Sequence, residues 1–173
     1  MLNLVNSTLS YFTILGQIFG LVLIILFLTQ RKTGNPLLNF ISKNVFLIAF
    51  AVSFGSMALS LFYSEIAGFA PCALCWYQRI FMYPIAFIAP LAWLKKDETA
   101  VRYIFMLSLI GLLIAAYHTL LQFGITPNLP CAAEGVSCAQ RFVLSFGYIT
   151  IPIMSITAFT IVLISSAIRI FHK

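Results

Sequence analysis

Apolar residues fall in five long runs, about Leu9–Thr29, Val45–Tyr63, Tyr77–Leu94, Tyr103–Phe123 and Ile149–Ile168, and polar residues gather in the short connections between them. A hydrocarbon core about 30 Å thick takes about 20 helical residues at 1.5 Å each, so runs of this length read as membrane-spanning helices. The pattern predicts an all-α integral membrane protein with a four-helix transmembrane bundle core and an additional N-terminal transmembrane helix. Residues 1–44 would hold that first helix and its connection, and residues 45–173 the core. The third run is the shortest and carries Pro84 and Pro90; each removes a backbone donor, so this helix is expected to bend.

Composition agrees with the pattern. The chain has 173 residues, of which 62% are hydrophobic and only 8% charged, and its mean hydropathy is +1.05. Ordinary soluble domains carry roughly 25% charged residues. The net charge of +6 does not point to nucleic acid, because membrane proteins collect Lys and Arg in cytoplasmic loops. Here Arg31, Lys32 and Lys43 lie in the first connection, Lys95, Lys96 and Arg102 in the third, and Arg169 and Lys173 in the C-terminal tail. Only Arg79 and Arg141 of the 10 basic residues fall elsewhere. The bias predicts N-terminus out and C-terminus in. The first run has no positive charge before it and is followed by Gln30, Arg31 and Lys32, so it reads as a retained helix and not as a cleaved secretory signal. Gly16 and Gly20 on the first run, and Ala51 and Gly55 on the second, have the small-residue spacing that favours close helix approach in lipid.

With topology set by charge, all four cysteines fall in the two outward connections: Cys72 and Cys75 in the second, Cys131 and Cys138 in the fourth. Disulfides form and persist on the outer side of a bacterial cytoplasmic membrane, whereas the cytosol keeps thiols reduced. As structural staples, rings of this size would contribute little, about 1.9 kcal/mol for four residues and about 2.5 kcal/mol for eight. A Cys-x-x-Cys ring at the head of a helix is, in contrast, a recurring redox geometry. Arg79 lies four residues beyond Cys75 and so shares its helix face; the guanidinium and the helix N-terminus would both favour a thiolate at Cys75. Pro71 should hold Ala70 extended just before the motif.

His118 lies about 7 Å below the outer end of the fourth run at 1.5 Å per residue, a depth similar to that of Arg79. Two readings of it stand side by side: a ligand for the head of a membrane-dissolved electron carrier, or a hydrogen bond to a neighbouring helix. Gln122 and Tyr117 are weaker candidates of the same kind. Arg79 has its own bland reading, an anchor at the membrane interface, but an ionisable residue inside a span is first of all a functional candidate.

The string Cys72-Ala-Leu-Cys75-Trp76-Tyr77-Gln78-Arg79, the later Tyr117-His118-Thr119-Leu120-Leu121-Gln122 and the Cys131/Cys138 pair resemble the DsbB family of membrane thiol-quinone oxidoreductases. The short second pair and the segment Ile151-Pro152-Ile153-Met154-Ser155 look more like its BdbC-type branch. The resemblance covers about Val45 to Ile168 and implies a relay. A DsbA-like, thioredoxin-like thiol oxidase outside the membrane would attack the Cys131–Cys138 disulfide at Cys131. Electrons would pass through an interloop Cys138–Cys72 bond to the Cys72–Cys75 pair, and then to a membrane quinone, ubiquinone or menaquinone, whose head Arg79 and His118 would hold. Such a relay sustains protein disulfide formation at the bacterial cytoplasmic membrane. The chain departs from the family in its first helix and in the shortness of the second cysteine loop. Two other classes remain open from the residues: a membrane metal site built from the four thiolates and perhaps His118, and a quinone reductase resembling the vitamin K epoxide reductase proteins.

Overall fold

The computed structural model describes residues 2–29, 35–125 and 137–171. Among them the chain forms six α-helices: α1 (Leu2–Thr29), α2 (Pro36–Lys43), α3 (Val45–Leu61), α4 (Ala73–Lys95), α5 (Ala100–Gln122) and α6 (Ile151–Phe171). The π-helical turn Phe62–Ile66 extends α3, and an isolated bridge between Ser145 and Ile149 is the one element of strand pairing among the described residues. α3 to α6 form the four-helix core, in which α4 packs against α3 and α5, and α6 against α5 and α3. α1 lies on the outside of α6.

α1, α3 with its π turn, α5 and α6 are each long and apolar enough to cross a membrane. α4 carries Gln78, Arg79 and Lys95 and is less apolar, but its 23 residues match the 23 of α5. Five spans fit the chain. The third run is therefore not the shortest element: the helix starts before the polar Gln78–Arg79 step and continues unbroken through Pro84 and Pro90. Within a bundle, neighbouring helices and local adjustment can satisfy the carbonyls that an internal proline frees.

α2 was not anticipated as a separate helix. Asn35 caps it by accepting the Leu37 N–H at 2.9 Å, and Pro36 occupies the first turn, where its missing N–H costs nothing. Its buried face, Leu38 and Ile41, joins Leu23 of α1 and Ile168 of α6 in one apolar cluster. At the same end Arg169 bridges α6 to Glu98 at 2.7 Å and reaches Ser42 of α2. Arg31, Lys32 and Lys173 lie outside the described residues.

In lipid, close packing replaces the hydrophobic effect as the force between helices. Gly16 and Gly20 do serve this purpose: a Cβ on Gly16 would meet Thr157 at 2.9 Å and one on Gly20 would meet Thr160 at 3.9 Å. The second small pair does not, because Ala51 is exposed and a Cβ on Gly55 would meet nothing. Among the described glycines the tightest approach is at Gly111 of α5, where an added Cβ would lie 2.2 Å from the Phe159 ring. That glycine lets a fully buried phenyl ring of α6 rest on the α5 backbone.

Candidate functional site

The two cysteine connections meet at one end of the bundle, and aromatic rings help fix them there. Tyr63 of the π turn stacks on Phe69 with centroids 5.7 Å apart, and Phe69 stacks on Phe142 at 4.9 Å. This column links the α3–α4 connection to the α5–α6 connection. On the far side, α5 ends at Gln122, and Gly124, with φ +73°, turns the chain away from the helix axis. Arg141 donates through Nε to the Gln122 carbonyl at 3.0 Å and also through its terminal nitrogen, capping the negative end of the α5 dipole. Gln122 returns a bond through Nε2 to the Gln140 carbonyl at 3.0 Å. Arg141 thus has a structural partner on the side where basic residues are scarce.

The segment held in this way carries Cys138 to the top of α5. Cys72, Cys138 and Leu121 are buried together, with Cys75 and Tyr117 packed against them. Cys72 and Cys75 are thiols, whereas Cys138 is disulfide-bonded. Cys131 lies outside the described residues.

Cys72 is the N-cap of α4. Its Sγ accepts the Cys75 backbone N–H at 3.4 Å and lies 2.9 Å from Cys75 Sγ. The thiol of Cys75, donating to it, holds Cys72 down from the usual 9.0 to about 4; burial opposes the shift, and a hydrogen bond from His118 adds to it. The sequence places the thiolate at Cys75, beside Arg79. In the reduced pair it is favoured at Cys72 instead, because Cys72 accepts first from the Cys75 thiol, then from His118, and least from the Cys75 backbone N–H at the cap position.

His118 is 2% exposed and links three parts of the site. Gln78 Nε2 donates to His118 Nδ1 at 2.9 Å, so the ring carries its proton on Nε2, which faces the Cys138 carbonyl at 3.0 Å and Cys72 Sγ at 3.7 Å. Of the two readings of His118, the hydrogen bond to a neighbouring helix is present, to Gln78 of α4, and the ring also lies against Cys72. Gln78, which links it to α4, was missed in the sequence. The available signal was an amide inside an apolar run directly before Arg79; its partner depends on the register between two helices.

Arg79 is anchored to α3, donating from Nε to Ser60 Oγ at 2.9 Å and from a terminal nitrogen to the Ser60 carbonyl at 3.0 Å, with its guanidinium 5.0 Å from the Trp76 ring. Two of its five N–H groups are used in these bonds. Cys75, Arg79, Gln78 and His118 all line one pocket, together with Ser56 and Tyr83. The buried Tyr83 hydroxyl has no partner. Of the weaker candidates, Gln122 is bound up in the loop contact described above, and the buried Tyr117 hydroxyl is unpartnered.

The Cys72, Cys75 and His118 ligand atoms lie within 4.8 Å of one another, close enough to share a metal ion. The arrangement fits a redox pair better. Two thiolates on tetrahedral zinc with bonds near 2.3 Å sit about 3.8 Å apart, whereas these sulfurs are 2.9 Å apart and both His118 nitrogens are already in hydrogen bonds.

Residues 42–168 match the family model described as "Disulfide bond formation protein DsbB". The chain belongs to the DsbB family. It is 46% identical over 120 residues to the SPbeta prophage-derived disulfide bond formation protein B of Bacillus subtilis (strain 168), covering 69% of this chain and 81% of the relative. It is 40% identical over 126 residues to the disulfide bond formation protein C of the same organism, covering 71% of this chain and 91% of the relative. A probable disulfide formation protein of Metapseudomonas resinovorans is 38% identical over 132 residues, covering 75% and 92%. No solved structure matches significantly. DsbB membership sets aside the likeness to vitamin K epoxide reductases and makes this a disulfide-forming membrane protein. α1 lies outside the matched residues.

Proposed function

We propose that this protein reoxidises a thioredoxin-like dithiol oxidase on the extracytoplasmic side of the bacterial cytoplasmic membrane and passes the electrons to membrane quinone. The observation that carries the reading is the position of the Cys72–Cys75 pair. Cys72 is buried against Cys138 and its loop, while Cys75 lines the pocket that Arg79, Gln78, Tyr83 and His118 also line. One thiol pair thus sits between a second redox loop and a pocket among the spans. The charge pattern supports the assigned sides, with the cysteine end outward.

In this reading the partner's thiolate attacks the Cys131–Cys138 disulfide at Cys131 and forms a mixed disulfide with it, releasing Cys138. The partner's second thiolate resolves that bond and leaves the partner oxidised. Cys138 attacks Cys72 of the oxidised Cys72–Cys75 pair and frees Cys75; Cys131 then attacks Cys138, restoring the outer disulfide and leaving Cys72 and Cys75 as thiols. Quinone is the oxidant, taking two electrons and two protons to become quinol. The donor set fits such a head group: Arg79, with spare guanidinium N–H groups, and Tyr83, with an unpartnered hydroxyl, both line the pocket and would donate to quinone carbonyl oxygens. The Cys72 thiolate is positioned to close the disulfide with Cys75, whose sulfur is the one that reaches the pocket.

The test is to mix the purified protein in detergent with a ubiquinone or menaquinone analogue and a reduced thioredoxin-like dithiol protein, and to follow quinone absorbance. Cysteine-dependent loss of oxidised quinone is expected. No loss with either quinone, together with stoichiometric metal in the reduced protein, would overturn the reading in favour of a metal site.

A further inference from the structure

The pocket at Cys75 is small, with about 60 Å³ of free space. An engineered cavity that binds benzene has about 150 Å³, so this pocket is small for a whole quinone. A second groove lies directly beside it. Ser56, Ser60, Ile151 and Ser155 line both, and the groove has about 220 Å³ of free space. That groove is walled by α3 through Val52 and Leu59, by α6 through Met154 and Ala158, and by α1 through Phe12 and Thr13. It exists because α1 packs on α6 at Gly16 but makes no close backbone approach to α3. The gap is bridged at the cysteine end, where the Tyr63 hydroxyl donates to Asn6 Oδ1 at 2.8 Å. Below that bridge the groove lining is mainly apolar, and Phe12 at its lip is 65% exposed.

We propose that α1 is the outer wall of a site for the isoprenoid tail of the quinone, which leaves the Cys75–Arg79 pocket past Ser56 and Ser60 and lies between α3 and α6 against Phe12 and Thr13. The proposal rests on the quinone reading above and gives the first helix a role in it. Its occupant is set by the shared lining: an apolar groove beside a polar pocket fits a ligand with a polar head and an apolar tail.

Thr13→Phe and Val52→Phe, made separately in the full chain, would each narrow the groove from opposite walls. The ratio of KM for a long-tailed quinone to KM for a tail-less analogue should rise about tenfold in both, the loss of roughly two buried methylene equivalents. An unchanged ratio in both variants would overturn the proposal while leaving the relay intact. In the unsubstituted protein, a quinone with a photoreactive group on its tail should label α1 peptides. Label confined to α3–α6 would also overturn it. Failure of the unsubstituted protein to reduce any quinone would instead overturn the functional reading, and this proposal with it.

Discussion

The two ends of the core bundle are built on opposite principles. At the end opposite the cysteines, α3, α4, α5 and α6 meet through Val45, Phe46, Ala49, Ile85, Ala89, Ile104 and Val162, an apolar cluster. At the cysteine end the same helices bury Gln78, Arg79, His118 and Gln122. α4 shows the change within one element: its first two turns bury Gln78 and Arg79, and its later turns bury Ile85, Ala86, Ala89 and Ala92. A buried polar group needs partners, and a buried charge needs them more. The bundle therefore accepts a costly end where the cysteines lie and relies on the other end for packing. Substitutions at the two ends should separate activity from stability.

The largest effects belong to the cysteine end. Cys75→Ser should reduce quinone turnover to background, because the disulfide that delivers two electrons can no longer form. Arg79→Ala should slow turnover roughly 10²-fold, the usual loss when one positioned donor to a reacting oxygen is removed. Quinone absorbance measured at equal amounts of inserted protein checks both; unchanged rates would remove these residues from the mechanism.

The opposite end should respond in the reverse sense. Ile104 is fully buried in the apolar cluster, and Ile104→Ala should cost about 2–4 kcal/mol of stability through lost contacts and a residual cavity. Turnover per folded molecule should stay near that of the unsubstituted protein. Thermal unfolding in detergent and single-turnover kinetics would separate the two, and a turnover loss as large as that of Arg79→Ala would erase the distinction between the ends.

Between these in size is the acid–base behaviour of Cys72. Its folded pKa, about 4, lies below the usual 9.0, so the native reduced state favours the thiolate. The sign follows: this contribution to stability is fully present above about pH 9, declines as pH falls, and is gone below about pH 4. Alkylation of Cys72 in the reduced protein, read by mass spectrometry of the peptide, should be nearly flat from about pH 5.5 to 8. A tenfold rise per pH unit across that range would show an ordinary thiol and undo the assignment of the thiolate to Cys72.

The fold was largely legible because lipid imposes a simple rule: a spanning segment must be long, apolar and helical. The five runs and the packing at Gly16 follow from that rule. What failed depended on neighbours. The α3 pair Ala51 and Gly55 had the right spacing, but Ala51 is exposed and a Cβ on Gly55 would meet nothing, while Gly111, which has the buried Ala115 at the same spacing and was not singled out, makes the tightest approach of the described glycines. α2 was signalled by Asn35-Pro36 followed by Leu37, Leu38 and Ile41, a cap and an apolar face hidden inside what looked like a connection. At the site, residue types that are rare in spans singled out Arg79 and His118. Gln78, Ser60 and Tyr83 acquire meaning only from the register of α4 against α3 and α5, which no spacing within one segment encodes.

Ser60 gives the finest test of the contrast between the ends. It holds Arg79 twice, by its hydroxyl and by its carbonyl, so Ser60→Ala removes one bond and leaves the other. The remaining bond keeps the guanidinium near the pocket, and the loss should be about 1 kcal/mol, or about fivefold in kcat/KM for quinone. Because the hydroxyl also lines the pocket, the change could instead act on quinone directly; the double variant Ser60→Ala with Arg79→Ala separates the cases. If Ser60 works only by positioning the guanidinium, the double variant should match Arg79→Ala alone. Full additivity would show that the hydroxyl acts independently of Arg79, and the polar end would then be a set of separate contacts and not one connected network.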